Sequence, residues 1–141
     1  MTEKFLGVPY PITKHARGYF RTQSGVNQIK SDLLVLILTN QGERVMLPEF
    51  GANLRRFLFE PNDEILRLEV RNAIIQAIEL WEPRVVIEQV EVTSNPDMAD
   101  LDSDQDPDDR EHVLLIKIRF FDPENIQEVD ELRLEVPLLG N

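Results

Sequence analysis

A long amphipathic pattern that ends at a proline constrains this chain more than any other feature. Between residues 64 and 81, apolar side chains recur at spacings of three and four residues, which predicts a helix with one buried face. Asn62 supplies a cap at its start. Pro83 cannot continue the helix and drives Glu82 out of the helical region, so a fixed corner is expected there. A β-type run follows at once, which makes this a helix-to-strand corner.

Three strand-like segments occupy the rest of the C-terminal half, at residues 84–92, 113–120 and 131–136. In the second of them, apolar residues alternate with Lys117 and Arg119, the pattern of a strand with one buried face. Consecutive strands favour an antiparallel meander, whose apolar face has to be covered by helices.

Another helix is predicted earlier in the chain, from an N-cap at Ser24 to Thr39. The run "LLVLIL" in its second half also fits a buried strand. The helix is favoured because it would turn Lys30, Ser31 and Asp32 toward solvent.

The remaining segments complete the predicted architecture. Residues 39–54 have loop chemistry, and "LRRFLFEP" is expected to form a short helical turn that presents Phe57 and Phe59. Residues 1–22 contain prolines and glycines without a sustained apolar period, which predicts an extended N-terminal arm. The chain is therefore expected to be an α+β protein. The arm precedes a single domain, residues 23–141, in which two main helices pack on a small antiparallel three-stranded meander.

Composition narrows the classes of function. The chain has 141 residues and a formal net charge of −11, so its average surface repels nucleic acids and anionic membranes. It has no cysteine, which excludes a disulfide framework, a thiol nucleophile and a thiolate metal site. No apolar run has the length of a membrane span and the N-terminus lacks a signal-peptide pattern, so a soluble, cytoplasmic product is expected. Neither nucleic acid nor membrane is predicted as a partner, and no cofactor is predicted.

An aspartate-rich segment holds much of the acidic excess. Residues 97–111 carry eight acids and one arginine. Six of these acids have the spacing of the oxygen ligands in a twelve-residue calcium loop: Asp100, Asp102, Asp104, Asp106, Asp108 and Glu111. Gln105 stands where that loop needs a glycine, and Pro107 follows within it. A solvated, mobile hairpin loop over residues 94–111 is the favoured interpretation, and calcium binding is the alternative.

Glu82 and Arg84 flank the proline and can project on the same side of an extended segment. As a solvated pair they would contribute about 0–1 kcal/mol. If a partner buried them, the loss of either charge would leave the other unpaired at a much larger cost. Their position in the sequence leaves both alternatives open.

The C-terminal strand is expected to lie at an edge of the sheet, where its free N–H and C=O groups could pair with a strand from another chain. Its alternating charges and Pro137 equally fit an edge protected against such pairing. His15 and His112 have no serine, second histidine or acid at a useful spacing, and there is no phosphate loop or hydrolase motif. No catalytic residue is predicted.

Several motifs in one order resemble the baseplate wedge family of contractile injection systems. They are the Gly42-Glu43-Arg44 turn, Met46, Pro48, Phe50-Gly51, the Phe59-Glu60-Pro61 run and the Glu82-Pro83-Arg84 triplet. The resemblance covers nearly the whole chain, with a looser fit in the arm. The acidic segment is longer than the usual hairpin of this family.

The resemblance implies a structural, non-enzymatic protein of a phage tail baseplate or injection-machine baseplate, assembled in the bacterial cytoplasm. The implied partners are two larger wedge proteins and the tail sheath subunit, with hub or spike proteins as further candidates. Glu82, Pro83 and Arg84 would dock on a bundle formed by the wedge proteins. Gly42, Glu43 and Arg44 would brace a loop or belong to an interface. The strand that would template the first sheath ring by strand addition comprises Leu132, Arg133, Leu134, Glu135 and Val136.

Two alternatives from other classes of function stay open at this point. One is a cell-wall-degrading, lysozyme-like tail enzyme, although nothing in the residues supports the lysozyme label that some relatives carry. The other is a calcium-binding adaptor, which depends on the acidic segment.

Overall fold

The computed structural model describes residues 6–94 and 113–138. The elements in chain order are β1 (Leu6–Gly7), β2 (Gln23–Ser24), α1 (Gly25–Leu38), a 3-10 turn (Leu54–Phe57), α2 (Glu64–Trp81), β3 (Val86–Thr93), β4 (Val113–Asp122) and β5 (Asn125–Pro137). Two helices and a three-stranded antiparallel meander, in the order β3-β4-β5, confirm the predicted α+β fold. The calcium candidate Asp100, Asp102, Asp104, Asp106, Asp108 and Glu111, like most of the 94–111 loop, lies outside the described residues.

Helix α2 has the bounds that its periodicity predicts. Its cap is Asp63 rather than Asn62, because the Asp63 carboxylate accepts a hydrogen bond of 2.7 Å from the Leu66 amide. At the other end, the Glu82 amide donates to the carbonyl of Ile78 before the proline stops the ladder. The side chains that it buries form one stripe: Leu66, Val70, Ala73, Ile74, Ala77 and Ile78.

The central strand β4 supplies most of the sheet's contribution to the core. Alternate residues of β4 are almost completely buried: Leu114, Ile116, Ile118 and Phe120. Strand β3 begins at Val86, two residues later than predicted, and β5 begins at Asn125, six residues earlier. The prediction of the third strand was too short because residues 125–130 do not alternate between polar and apolar side chains, and residues 125–129 are all exposed.

Helix α1 is present where it was predicted, and "LLVLIL" is helical rather than a strand. The expectation that Ser31 faces solvent is wrong: its side chain is buried, and Oγ lies 3.1 Å from Gln23 Oε1 and 3.2 Å from the carbonyl oxygen of Asn27. Lys30 is half-buried, and its Nζ pairs with Asp130 of β5 at 3.4 Å. Asp32 is also half-buried, for a reason that concerns the corner described below. This face of α1 is a polar contact face and not a solvated one.

The segment after the loop was predicted to present two phenylalanines, and it presents one. Phe57 is buried in the core, whereas Phe59 is 70% exposed. Phe57 belongs to the core because the 3-10 turn directs it inward beside Leu54, which is buried as well. Phe59 lies beyond the end of that turn.

The N-terminal arm is attached to the start of α1. Leu6 and Gly7 of β1 pair antiparallel with β2, and a second turn is closed by a bridge between Lys14 and Phe20. Gly7 lies directly against helix α1, since a Cβ atom there would come within 2.3 Å of the Gln28 side chain. The arm is therefore packed against the helix at its base.

Candidate functional site

The two charged side chains of the Glu-Pro-Arg corner form an ion pair with each other. Arg84 donates from Nε to Glu82 Oε1 at 2.6 Å and from Nη2 to Glu82 Oε2 at 2.7 Å, a bidentate pair. Glu82 is only 6% exposed. Pro83, between them, is exposed. Of the two alternatives that the sequence leaves open, a solvated pair does not describe Glu82, whose side chain is already buried by this chain alone.

A third charged residue, which the sequence did not single out, completes the corner. Arg84 Nη2 also contacts Asp32 Oδ2 at 2.5 Å, so α1 is tied to the residues that follow α2. The pKa of Arg84 is raised by its hydrogen bonds to Glu82, against the opposing effect of burial, with a further contribution from Asp32. The guanidinium therefore stays charged throughout the physiological pH range.

The network continues from Asp32 into the arm. Gln28 Nε2 donates to Asp32 Oδ1 at 2.7 Å and to the carbonyl oxygen of Val8 at 3.3 Å. We call Gln28, Asp32, Glu82 and Arg84 the corner cluster. Its two carboxylates and one guanidinium sum to a charge of −1, because the glutamine is neutral. The signal in the sequence is weak: a glutamine and an aspartate four residues apart in the polar first half of a helix.

The Gly42-Glu43-Arg44 turn is stabilised by a local set of hydrogen bonds. Gly42 has φ +91 and donates its amide to the carbonyl of Pro48 at 2.6 Å. The Glu43 carboxylate accepts from the Asn40 amide at 3.0 Å and from Asn40 Nδ2 at 2.8 Å. These bonds to Asn40 lower the pKa of Glu43 below its ordinary value. The loop is thereby closed at both ends.

Aromatic contacts connect this loop to the corner. The Arg44 guanidinium carbon lies 4.6 Å from the centre of the Phe50 ring, and Phe50 meets Trp81 edge to face at 5.5 Å. Trp81 immediately precedes Glu82. The structure therefore brings together two of the motifs that the sequence analysis singled out. The loop also displays an apolar tip, since Val45 is 93% and Met46 92% exposed.

The outer edge of β5 is defined by its register with β4. The pairing is continuous from Val113↔Pro137 to Phe121↔Val129. Pro137 has no N–H, so it cannot belong to a hydrogen-bonded pair, and odd-numbered residues of this stretch share its orientation. The backbone N–H and C=O groups of Glu131, Arg133 and Glu135 therefore point away from β4. Among the described residues no strand pairs with them.

The charged side chains of β5 also interact. Glu131 contacts Arg133 on the same strand and Lys117 on β4, and these contacts lower the pKa of Glu131. Leu132 and Val136, on the other face of the strand, are buried in the core, and Leu134 is half-buried. The strand thus has one face fixed in the core while its backbone edge is open.

No metal-binding or membrane-spanning feature occurs in the part of the chain that the structure describes. Residues 6–94 and 113–138 contain no group of three or more His, Asp or Glu side chains that could hold a metal ion. The helices in these ranges are too short or too polar to cross a membrane.

Comparison with known proteins places this geometry in a family. The family model described as "Baseplate wedge protein gp25" matches residues 23–120. The chain is 30% identical over 112 residues to baseplate wedge protein gp25 of Enterobacteria phage T4, covering 79% of this chain and 75% of that protein.

Solved structures share the fold. A chain of the anti-feeding prophage baseplate superposes with a TM-score of 0.66 at 21% identity, covering 83% of this chain and 84% of that one. A crystal structure from Geobacter sulfurreducens bears a tail-lysozyme name and superposes with a TM-score of 0.63 at 23% identity, covering 79% of this chain and 88% of that one. At these identities both show the fold alone. The chain belongs to the baseplate wedge protein gp25 family and is a structural component of the baseplate of a contractile injection system, where other baseplate proteins are its partners.

Proposed function

We propose that this protein joins the baseplate wedge to the contractile sheath. Its Glu82-Pro83-Arg84 corner docks on a bundle formed by two larger wedge proteins, and residues 132–136 of β5 template the first sheath ring by strand addition. It acts without catalysis. Assembly takes place in the bacterial cytoplasm, and hub or spike proteins are further candidate neighbours.

The open edge of β5 is the observation that carries this proposal. Three successive outward-facing residues, Glu131, Arg133 and Glu135, offer backbone donors and acceptors to an added strand. In strand addition, the main-chain hydrogen bonds supply the affinity, and the side chains need little complementarity. This mode of binding suits a contact that starts a repeating lattice. Because Leu132 and Val136 are anchored in the core, the template is rigid before the partner arrives.

The corner supports a different kind of contact. Its exposed proline sits between Glu82 and Arg84, whose side chains are locked by the bidentate pair, so the surface is preorganised. The net negative cluster suits a lysine, an arginine or a backbone N–H of the partner. The Gly42-Glu43-Arg44 loop braces this surface through Phe50 and Trp81 and also carries the exposed apolar tip.

Sheath recruitment can be tested by removing one outward N–H group from β5. Arg133→Pro deletes an amide that makes no bond to β4, whereas Arg133→Met removes the same side chain and keeps the amide. Each variant is expressed with the wedge proteins and sheath subunit of its own machine, and sheathed baseplates are counted by electron microscopy. We expect Arg133→Met to assemble normally and Arg133→Pro to yield baseplates without sheath.

Binding to the wedge proteins is measured in the same preparations. If Arg133→Pro remains bound to the wedge proteins while sheath is lost, the two contacts are separate, as proposed. Normal sheathing of Arg133→Pro, with its fold verified by Trp81 fluorescence, would show that β5 is not the template. A corner variant, Arg84→Met, is expected to lose the wedge proteins, and its fold is verified in the same way.

A further inference from the structure

The N-terminal arm carries a surface that the proposed function does not use. Residues 12–21, here called the arm hairpin, expose large apolar side chains to solvent. Ile12 is 65%, Tyr19 78% and Phe20 71% exposed. Isolated exposed apolar residues are ordinary, but three of them within one short turn make a local patch that favours contact with another protein.

The charge of the arm hairpin is opposite to that of the whole chain. Residues 6–22 contain Lys14, Arg17 and Arg21 and no acid, while the chain carries a net charge of −11. Within the described part of the chain, none of these three cations forms an ion pair. The patch therefore offers three uncompensated positive charges beside its apolar side chains.

The hairpin is also preformed. Its backbone is closed by hydrogen bonds from the His15 amide to the Tyr19 carbonyl at 2.6 Å and from the Arg21 amide to the Thr13 carbonyl at 2.9 Å. The turn forms one wall of an open pocket of about 600 Å³ lined by Ile12, Thr13, Lys14, Gly18, Tyr19 and Phe20. A pocket of this size accepts one or two side chains of a partner, and little conformational entropy is lost on binding because the hairpin is already ordered.

The hairpin precedes the range that the family model matches. The family model begins at residue 23, so the whole arm lies outside the matched range. The arm is nevertheless held to the domain, by the pairing of β1 with β2 and by the close approach of Gly7 to Gln28. A segment that is exposed and fixed in place is suited to a contact with another protein.

We propose that the arm hairpin docks on an acidic segment of another baseplate protein. An apolar side chain of that segment fills the pocket between Ile12 and Phe20, and flanking carboxylates pair with Lys14, Arg17 and Arg21. Aromatic side chains and arginine are the residue types that contribute most at protein interfaces. Nucleic acid is the weaker fit, because the net charge of the chain opposes a long polyanion.

The contact can be captured in assembled particles. The photoreactive residue p-benzoylphenylalanine is placed at Tyr19 in the full chain, particles are purified and irradiated, and cross-linked peptides are identified by mass spectrometry. We expect a peptide from another baseplate protein with at least two carboxylates near the cross-link. A probe at Phe59 is the control for the probe at Tyr19, since both aromatic side chains are largely exposed, at 70% and 78%. Cross-links from Tyr19 only to nucleic acid, to lipid or to the same chain would overturn the proposal, as would none at all.

Two variants separate the charge from the apolar contact. The charge reversal Lys14→Glu with Arg17→Glu is expected to reduce the Tyr19 cross-link about tenfold, and rising salt should weaken the wild-type cross-link. Phe20→Ala is expected to reduce it as well, while Phe59→Ala leaves it unchanged. An equal loss from both phenylalanine variants, or no effect of the charge reversal, would contradict the proposed contact. Sheath recruitment by β5 is scored in the same particles, so failure of this inference is distinguishable from failure of the template.

Discussion

Removing the Arg84 guanidinium should destabilise the fold far more than removing an exposed arginine. In Arg84→Met the Glu82 carboxylate, 6% exposed, loses two charge-assisted hydrogen bonds. Breaking a fully buried ion pair costs about 3–5 kcal/mol. The Arg84 side chain is 24% exposed, so water partly replaces the lost donors. We therefore expect the free energy of unfolding to fall by about 2–3 kcal/mol, a large share of the roughly 5–15 kcal/mol of a typical domain.

The chain contains its own control for this experiment. Glu131 and Arg133 have the same spacing and the same Nε-to-Oε1 contact, but the Arg133 side chain is 65% exposed. Arg133→Met is therefore expected to cost less than about 1 kcal/mol. Unfolding in urea can be followed by the fluorescence of Trp81, the only tryptophan, which directly precedes Glu82. With m-values of about 1–3 kcal/mol/M, the midpoint should fall by roughly 1–2 M for the corner variant.

A double variant tests the physical cause. Glu82→Gln with Arg84→Met removes the buried charge together with its partner, so it should be more stable than Arg84→Met alone by about 1 kcal/mol or more. Equal midpoints for Arg84→Met and Arg133→Met would refute the claim that burial decides the strength of the corner pair. A double variant less stable than the single one would show that the unpaired carboxylate is not the source of the loss.

Three further predictions concern the loop and the arm. Gly51→Ala should lower the free energy of unfolding by about 2–3 kcal/mol, measured in urea, because φ is +122 and the new Cβ would lie 2.2 Å from a backbone carbonyl oxygen at the end of α1. The pKa of Glu43 is lowered by its bonds to Asn40, so these bonds contribute their full stability above pH 4.5, the ordinary pKa. This contribution is lost as the pH falls through the lowered pKa. An NMR titration of the Asn40 amide should show this transition, and Glu43→Gln should abolish it. Gly7→Ala should displace the Gln28 side chain and lower the free energy of unfolding by about 1 kcal/mol, measured by thermal unfolding. The cost is smaller than for Gly51→Ala because the atoms that the new Cβ meets belong to a side chain, which can move.

Sequence reasoning succeeded where the cause is local. The bounds of α2 depend on apolar spacing and on Pro83, both of which are readable within one segment. The alternation in β4 likewise predicts which of its residues enter the core. These features follow from the chain's own periodicity, so no knowledge of distant residues was needed.

It failed where the cause is distant along the chain. Arg84 pairs with Asp32, which lies 52 residues earlier in α1, so the corner joins segments that no local pattern connects. Ser31 is predicted to face solvent, but it is buried, and its hydroxyl lies 3.1 Å from Gln23 Oε1 of β2. In the candidate site, the motifs could be named from the sequence. Their connection through Phe50 and Trp81 is a product of packing that no pattern within either motif reveals.

The hydrogen bonds that run from Val8 through Gln28 and Asp32 to Arg84 have a consequence for the order of assembly. They link the arm and the corner, so a partner that displaced one end would also disturb the hydrogen bonds that lead to the other. Thermodynamic linkage is reciprocal: if binding at the arm strengthens binding at the corner, the reverse holds by the same factor. A subunit already bound to one partner would then bind the second partner more tightly than a free subunit does. Such cooperativity favours complete baseplates over partial ones without any separate checking step.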